Sequence, residues 1–320
     1  MNYLIDPTLK RLLIDGFTFP LGWKPSDGKR PFEGYTISRL DSDLELPDTH
    51  QFQIAVSHER LKPLLARLFA LLPEQVYPIL EIISTDAYRQ VDTLMSPEPI
   101  SLTDFLTTWA EVEPLLLDDC ALAAGAMSEE PYVEVFLEAN KFIIVNIASE
   151  QSRLLEAELD AAGLHEVPSH WIDDDDCMDE FTSVLMEKNG LMTLDDVIVH
   201  LHRLWRLELN IDPEGNPDEA GRDLGVTLWH VLILVVRRDQ PSNSEHARIE
   251  IWLSADSLGQ VEELVADVFD EIKEWDIDTM VSQDRVAFDD RPPELNDLKQ
   301  GSEETGVWAV SIQPVESRSH

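Results

Sequence analysis

The chain is short of cations, glycine and cysteine, and each shortage excludes something. Lys and Arg number 24 against 63 Asp and Glu, a formal net charge of −39 over 320 residues. So acidic a surface repels phosphate backbones and anionic headgroups, which argues against nucleic acid and membrane as direct partners. Two cysteines, Cys120 and Cys177, cannot build a disulfide framework, and they point to a reducing, cytoplasmic setting. Thirteen glycines leave no glycine-rich phosphate cradle, and neither a Walker loop nor a G-x-G-x-x-G run occurs. The G-x-S-x-G, H-E-x-x-H and C-x-x-C patterns are missing too, as is any Asn-X-Ser/Thr acceptor. The longest strongly apolar run, Val231–Val236, falls far short of the ~20 residues a membrane helix needs. The opening residues carry Asp6 and no extended apolar stretch, unlike a secretory signal.

What the chain does have is a core: 43% of its residues are hydrophobic, enough to order a globular fold. Its length, at ~100–200 residues per domain, suggests two domains. Residues 1–50, rich in Pro and Gly, read as an irregular lead-in with a short helix at Pro7–Ile14 and a strand at Tyr35–Leu40. Residues 51–170 read as a first α+β domain and 171–320 as a second, with the Pro- and Asp-rich stretch 167–176 as the connection. Acid accumulates along the chain, with balances of −2 over 1–50, −14 over 51–170 and −23 over 171–320.

Periodicity fills in the elements. Gln51–Ser57 alternates as a strand, and Leu61, Leu64, Leu65, Leu68, Phe69 and Leu72 then fall at helical spacing. Val76–Thr85 returns as a strand. Ser101 and Asp104 form a capping box for a helix over 102–113, which Pro114 is expected to end. Strands follow near 117–126, 131–138 and 141–147, then a helix over 150–162 closed by Gly163. A helix is expected over 177–188, and a second capping box, Thr193 with Asp196, opens another that gives way to a strand at Leu204–Ile211. Strands at Val226–Arg238 and His246–Ser254 precede a helix over 257–275 striped by Leu258, Val261, Leu264, Val265, Val268, Phe269, Ile272 and Trp275. Strands near 279–288 and 307–313 close the chain. The segments 51–84 and 248–283 share a strand, Ser-capped helix, strand pattern. The expected fold is therefore α+β: two domains built from split βαβ, ferredoxin-like units, with mixed or antiparallel sheets and helices on one face.

Three groups of residues bear on function. His165, His170, Asp173, Asp175 and Cys177 carry the imidazole, carboxylate and thiol donors of a zinc-type site, although they crowd one segment that equally suits an acidic linker. His200 and His202 would share one side of a strand, but on a helix they diverge by about 200°. On the helix over 257–275, Glu263, Asp267, Asp270 and Glu274 make a face of one sign, suited to a basic partner. Both cysteines have acidic neighbours, which raise a thiol pKa and disfavour a nucleophile. Core packing accounts for most of the eight tryptophans; Trp23 in the lead-in and Trp171 in the connection are the exceptions. The leading expectation is a non-catalytic interaction or regulatory module without cofactor that meets a basic protein, with a second copy of the chain also open as a partner. The competing expectation is a metal-dependent hydrolase using the His/Asp/Cys residues.

Overall fold

The computed structural model describes residues 1–25, 30–40, 48–172, 183–238, 246–298 and 303–314. The fold is mixed α+β, with mostly antiparallel sheets and few helices. Internal contacts group the chain into two compact units: Met1–Ile82 with Leu94–Leu207, and Ile83–Thr93 with Glu208–His320. Among the described residues no helix is long and apolar enough to cross a membrane.

The first unit opens with strands β1 (Leu13–Ile14) and β2 (Phe17–Thr18), paired around Asp15 and Gly16. Those two residues take φ of 50° and 92°, the left-handed pair that a two-residue type I′ hairpin demands and Asp-Gly supplies. The helix expected at Pro7–Ile14 does not form. The remaining elements in chain order are β3 (Gly34–Leu40), β4 (Thr49–Ala55), α1 (His58–Leu68), β5 (Gln75–Ile83), β6 (Val91–Met95, whose residues 91–93 fall to the second unit), β7 (Ile100–Ser101), α2 (Leu102–Leu116), β8 (Leu122–Glu129), β9 (Tyr132–Leu137), β10 (Ile143–Ala148), α3 (Ser152–Ala161) and α4 (Leu194–Trp205). The sheet runs β5-β8-β9-β10-β4-β3, antiparallel throughout. The crossover β4-α1-β5 therefore joins parallel strands across three intervening ones. Phe52 and Ile54 of β4 are fully buried, as are Leu65 and Leu68 of α1 to within 1%. In β8, a Cβ on Gly125 would lie 2.2 Å from the Val135 carbonyl oxygen, so only glycine fits beneath Phe136.

Several boundaries differ from expectation, each for a local reason. Pro114 sits inside α2 without ending it, because a proline costs one hydrogen bond and the buried Leu115 and Leu116 favour a completed turn. α4 continues to Trp205, whose ring is fully buried and stacks on Phe105 of α2 at 5.2 Å. Arg206 then turns left-handed, with φ of 54°, and ends the helix. The strand expected at Leu204–Ile211 shrinks accordingly to Glu208–Leu209. Of the helix expected over 177–188, residues 177–182 lie outside the described set. Residues 183–188 form no helix, and Leu185 is bridged to Ile5.

The second unit contains β11 (Glu208–Leu209), β12 (Thr227–Arg237), β13 (His246–Ala255), α5 (Leu258–Glu271), β14 (Trp275–Val286) and β15 (Gly306–Pro314). Its four-stranded sheet is ordered β14-β12-β13-β15, all antiparallel. β13 and β14 are thus parallel to each other, joined through α5 and separated by β12 alone. The two similar-looking sequence segments accordingly bridge different numbers of strands. Alternate residues of β12 and β13 (Val231, Ile233, Val235; Ile249, Ile251, Leu253) form one core with Leu258, Val261, Val265 and Val268 of α5. The helix stops at Glu271, and Trp275 begins the next strand instead of ending the helix stripe.

Candidate functional site

Of the residues expected to hold a metal, the four described histidines do not come together with other donors in a site. His165 is exposed, with Nδ1 3.6 Å from Asp160. His170 packs on Phe142 at 5.0 Å and places Nε2 2.8 Å from the Gln53 carbonyl oxygen. A carbonyl only accepts, so Nε2 carries the proton, and burial holds the imidazole pKa below its ordinary value. His200 lies 3.3 Å from Glu111 of α2, while His202, two residues on, is buried with Nε2 unpartnered. That is the divergence a helix imposes on an i, i+2 pair. Asp173, Asp175 and Cys177 lie outside the described residues. Among the described residues no group of three or more His, Cys, Asp or Glu is placed to hold a metal ion.

The two unexplained tryptophans meet each other. Trp23 and Trp171 stack at 5.5 Å and 24°, inside a cluster with Phe17, Phe19, Phe142 and Cys120. Neither Pro/Gly-rich flanks nor acidic ones signal such a contact in advance. Burial and the neighbouring Asp119 and Asp118 push the Cys120 thiol up to about 12, with Lys141 opposing. Native protein should therefore leave Cys120 unmodified by an aromatic disulfide reagent at pH 8, whereas unfolding in guanidinium should release it. Rapid modification of Cys120 in the native state, located by peptide mapping, would contradict its burial.

A dense polar cluster belongs to the second unit. Residues 84–92 carry Asp86, Arg89 and Asp92, and the end of β14 carries Asp284 and Arg285. Arg285 is 3% exposed. Its Nε donates to Asp86 at 2.9 Å, and Nη1 donates to Asn216 at 3.1 Å and to the Pro217 carbonyl at 2.7 Å. Its guanidinium also faces the rings of Tyr88 and Trp229, at 5.4 and 5.8 Å. Arg89 reaches Asp92 at 2.6 Å, Asp86 at 3.3 Å and Asp284 at 3.7 Å. Three carboxylates thus share two guanidinium groups. Burial, ahead of the nearby Asp92, raises the Asp284 pKa, opposed by the Thr85 hydroxyl bond and Arg89. Backbone bonds complete the fastening: Arg285 N–H donates to the Asp86 carboxylate at 2.6 Å, and Ala87 N–H to the Arg285 carbonyl at 2.9 Å.

Beside this network lies a cleft of about 190 Å³ walled by Tyr88, Trp229, Asn216 and Arg285 and edged by Asp212, Asp218 and Glu219. The edging carboxylates are occupied locally. Asp212 accepts from Glu214 N–H, Asp218 from Ala220 and Arg222 N–H, and Glu219 from Gln90 N–H. Bonds to Arg222 hold the Asp218 carboxyl below its usual range. The network fastens residues 84–92 to the end of β14.

The outer side of α5 is the opposite case. Glu263, Asp267 and Asp270 are exposed, and among the described residues no hydrogen bond or ion pair engages them. Glu274 is exposed too, but it lies beyond the helix and pairs with Arg237 at 3.1 Å. The face exists because the stripe Leu258–Val261–Val265–Val268 is taken up by the sheet, which leaves the acids pointing to solvent. Comparisons with family models, with curated proteins and with solved structures return no match.

Proposed function

We propose that this protein is a non-catalytic interaction module whose acidic surface receives a basic protein partner. One observation carries the reading: Glu263, Asp267 and Asp270 stand exposed and unengaged on the outer side of α5 at i, i+4 and i, i+3 spacing. Like charges so placed cost about 0.2–0.5 kcal/mol per pair, and a docked cation relieves that cost.

The test replaces Glu263→Gln, Asp267→Asn, Asp270→Asn and Glu274→Gln together. A basic protein is first retained from host lysate on the unaltered chain, and its association rate is then measured by surface plasmon resonance. If attraction were spread over all 39 net charges, removing four would change it by about a tenth. A localised site predicts association about tenfold slower at low salt, converging with the unaltered chain at high salt. Equal rates at every salt concentration would overturn the reading.

A further inference from the structure

The sheet of the second unit ends in a strand whose one irregularity, between Val307 and Ala309, leaves the six residues Ala309–Pro314 in regular pairing with β13. Among the described residues β15 pairs only with β13, so its outer edge offers free backbone N–H and C=O groups. Natural edge strands are short, charged, bulged outward or covered. β15 is nine residues long, reads GVWAVSIQP and contains no charged residue, in a chain of which 27% is charged. Residues 310–314 are all exposed, Val310 at 41% and Ile312 at 40%. The opposite edge of the same sheet differs on both counts. β14 carries Asp276, Asp278, Asp284 and Arg285, and Ala87 bonds to it.

We infer that β15 receives an extended, basic segment of a partner protein by strand addition. The inference rests on the acidic-module reading above and gives it a binding mode. Register fixes what each side of the added strand would meet. Val310 pairs with Ile251 and Ile312 with Ile249, both fully buried under α5, so Val310 and Ile312 lie on the α5 side of the sheet. They continue the core past its cover and call for apolar residues at alternate positions of the incoming strand. The positions between them stand opposite Ala309, Ser311 and Gln313 on the other face of the sheet, where a long cationic side chain passing the small Ser311 would meet Glu250 of β13. Charge selects the occupant. Glu250, reached by Arg248 at 3.1 Å, stands on that other face beside Ser311, and an exposed Glu303 lies ahead of β15. A second copy of this chain would bring another net −39 to the edge, whereas a basic strand is attracted. Main-chain bonds then supply affinity, and the alternate side chains supply selectivity.

The test uses the full chain with a twelve-residue peptide of alternating Lys and Val and its Glu–Val counterpart. Fluorescence anisotropy reads binding, and hydrogen exchange reads the amides of 306–314. The Lys–Val peptide should bind and slow exchange there about tenfold, the Glu–Val peptide should do neither, and Val310→Lys with Ile312→Lys should abolish the slowing. If that variant misfolds, Val310→Thr with Ile312→Thr keeps strand propensity and should weaken the protection. Three outcomes overturn the inference. Peptide that binds without protecting 306–314, and is lost in the α5 variant, leaves the acidic module standing without strand addition. No binding to the unaltered chain removes both. Protection of 306–314 that grows with protein concentration alone, alongside a dimer in size exclusion, gives the edge to a second copy.

Discussion

Replacing Asp86 by Ala is expected to destabilise the second unit by about 3–5 kcal/mol, because it strands a buried arginine. Arg285 is 3% exposed, and the Asp86 carboxylate accepts from both its Nε and its backbone N–H. Removing the carboxylate leaves Arg285 with neutral acceptors only, Asn216 and Pro217. The pair itself is worth far less than that figure, since both charges were taken out of water to form it. Asp86→Leu combined with Arg285→Met should therefore recover the guanidinium's share of the loss, while the backbone N–H groups of Arg285 and Tyr88 stay without the carboxylate. Urea unfolding followed by tryptophan fluorescence reads both variants, with Trp229 reporting beside Arg285. A loss under 1 kcal/mol in Asp86→Ala would mean that water reaches the guanidinium and that the network is not a fastening.

The second large effect concerns pH. Burial, against a weaker backbone contact at Leu207, lowers the His202 pKa from 6.5 to about 4. The unfolded chain takes up a proton near pH 6.5, the folded chain only near 4. The neutral, buried form thus contributes its full stability above pH 6.5, and that contribution is lost as pH falls toward 4. At about 1.36 kcal/mol per pH unit, the gap corresponds to ~3 kcal/mol. His202→Leu should flatten the stability-against-pH curve between 7 and 4 by roughly that amount. Burial also lowers the pKa values of His58, His170 and His230. The difference between variant and unaltered chain isolates His202, and parallel curves would refute its role.

Much of the local structure was legible because it rests on short-range rules. The Thr193 capping box forms with both of its bonds, Gly163 ends α3 with φ of 75°, and the apolar stripe of α5 faces its sheet. The Asp15–Gly16 hairpin was missed, because a short helix was expected at Pro7–Ile14. What decides there is that Phe17 and Phe19 are buried in the aromatic cluster, a long-range fact. Long-range pairing accounts for the other differences. Asp86 and Arg285 are 199 residues apart in sequence, and nothing local marks either among 63 acids. The same abundance hid which acids are engaged: Asp118 and Asp119 fasten Arg11, Leu21 and Val184, while Glu263 and Asp267 engage nothing among the described residues. The free edge of β15 became visible only once strand order was known, since order is not a property of any single strand.

The placing of residues 83–93 with the second unit sets a timetable for synthesis. Asp86 and Arg89 leave the ribosome 199 residues or nearly so before Arg285 does. At about 5–20 residues per second, that is an interval of roughly 10–40 s. The first unit's own strands can pair during this time, but its β5–β6 excursion must wait, charged and open, for the last quarter of the chain. A gene cut between the codons for Leu207 and Glu208 would not yield two self-sufficient products, because the clamp for the later one is encoded in the earlier.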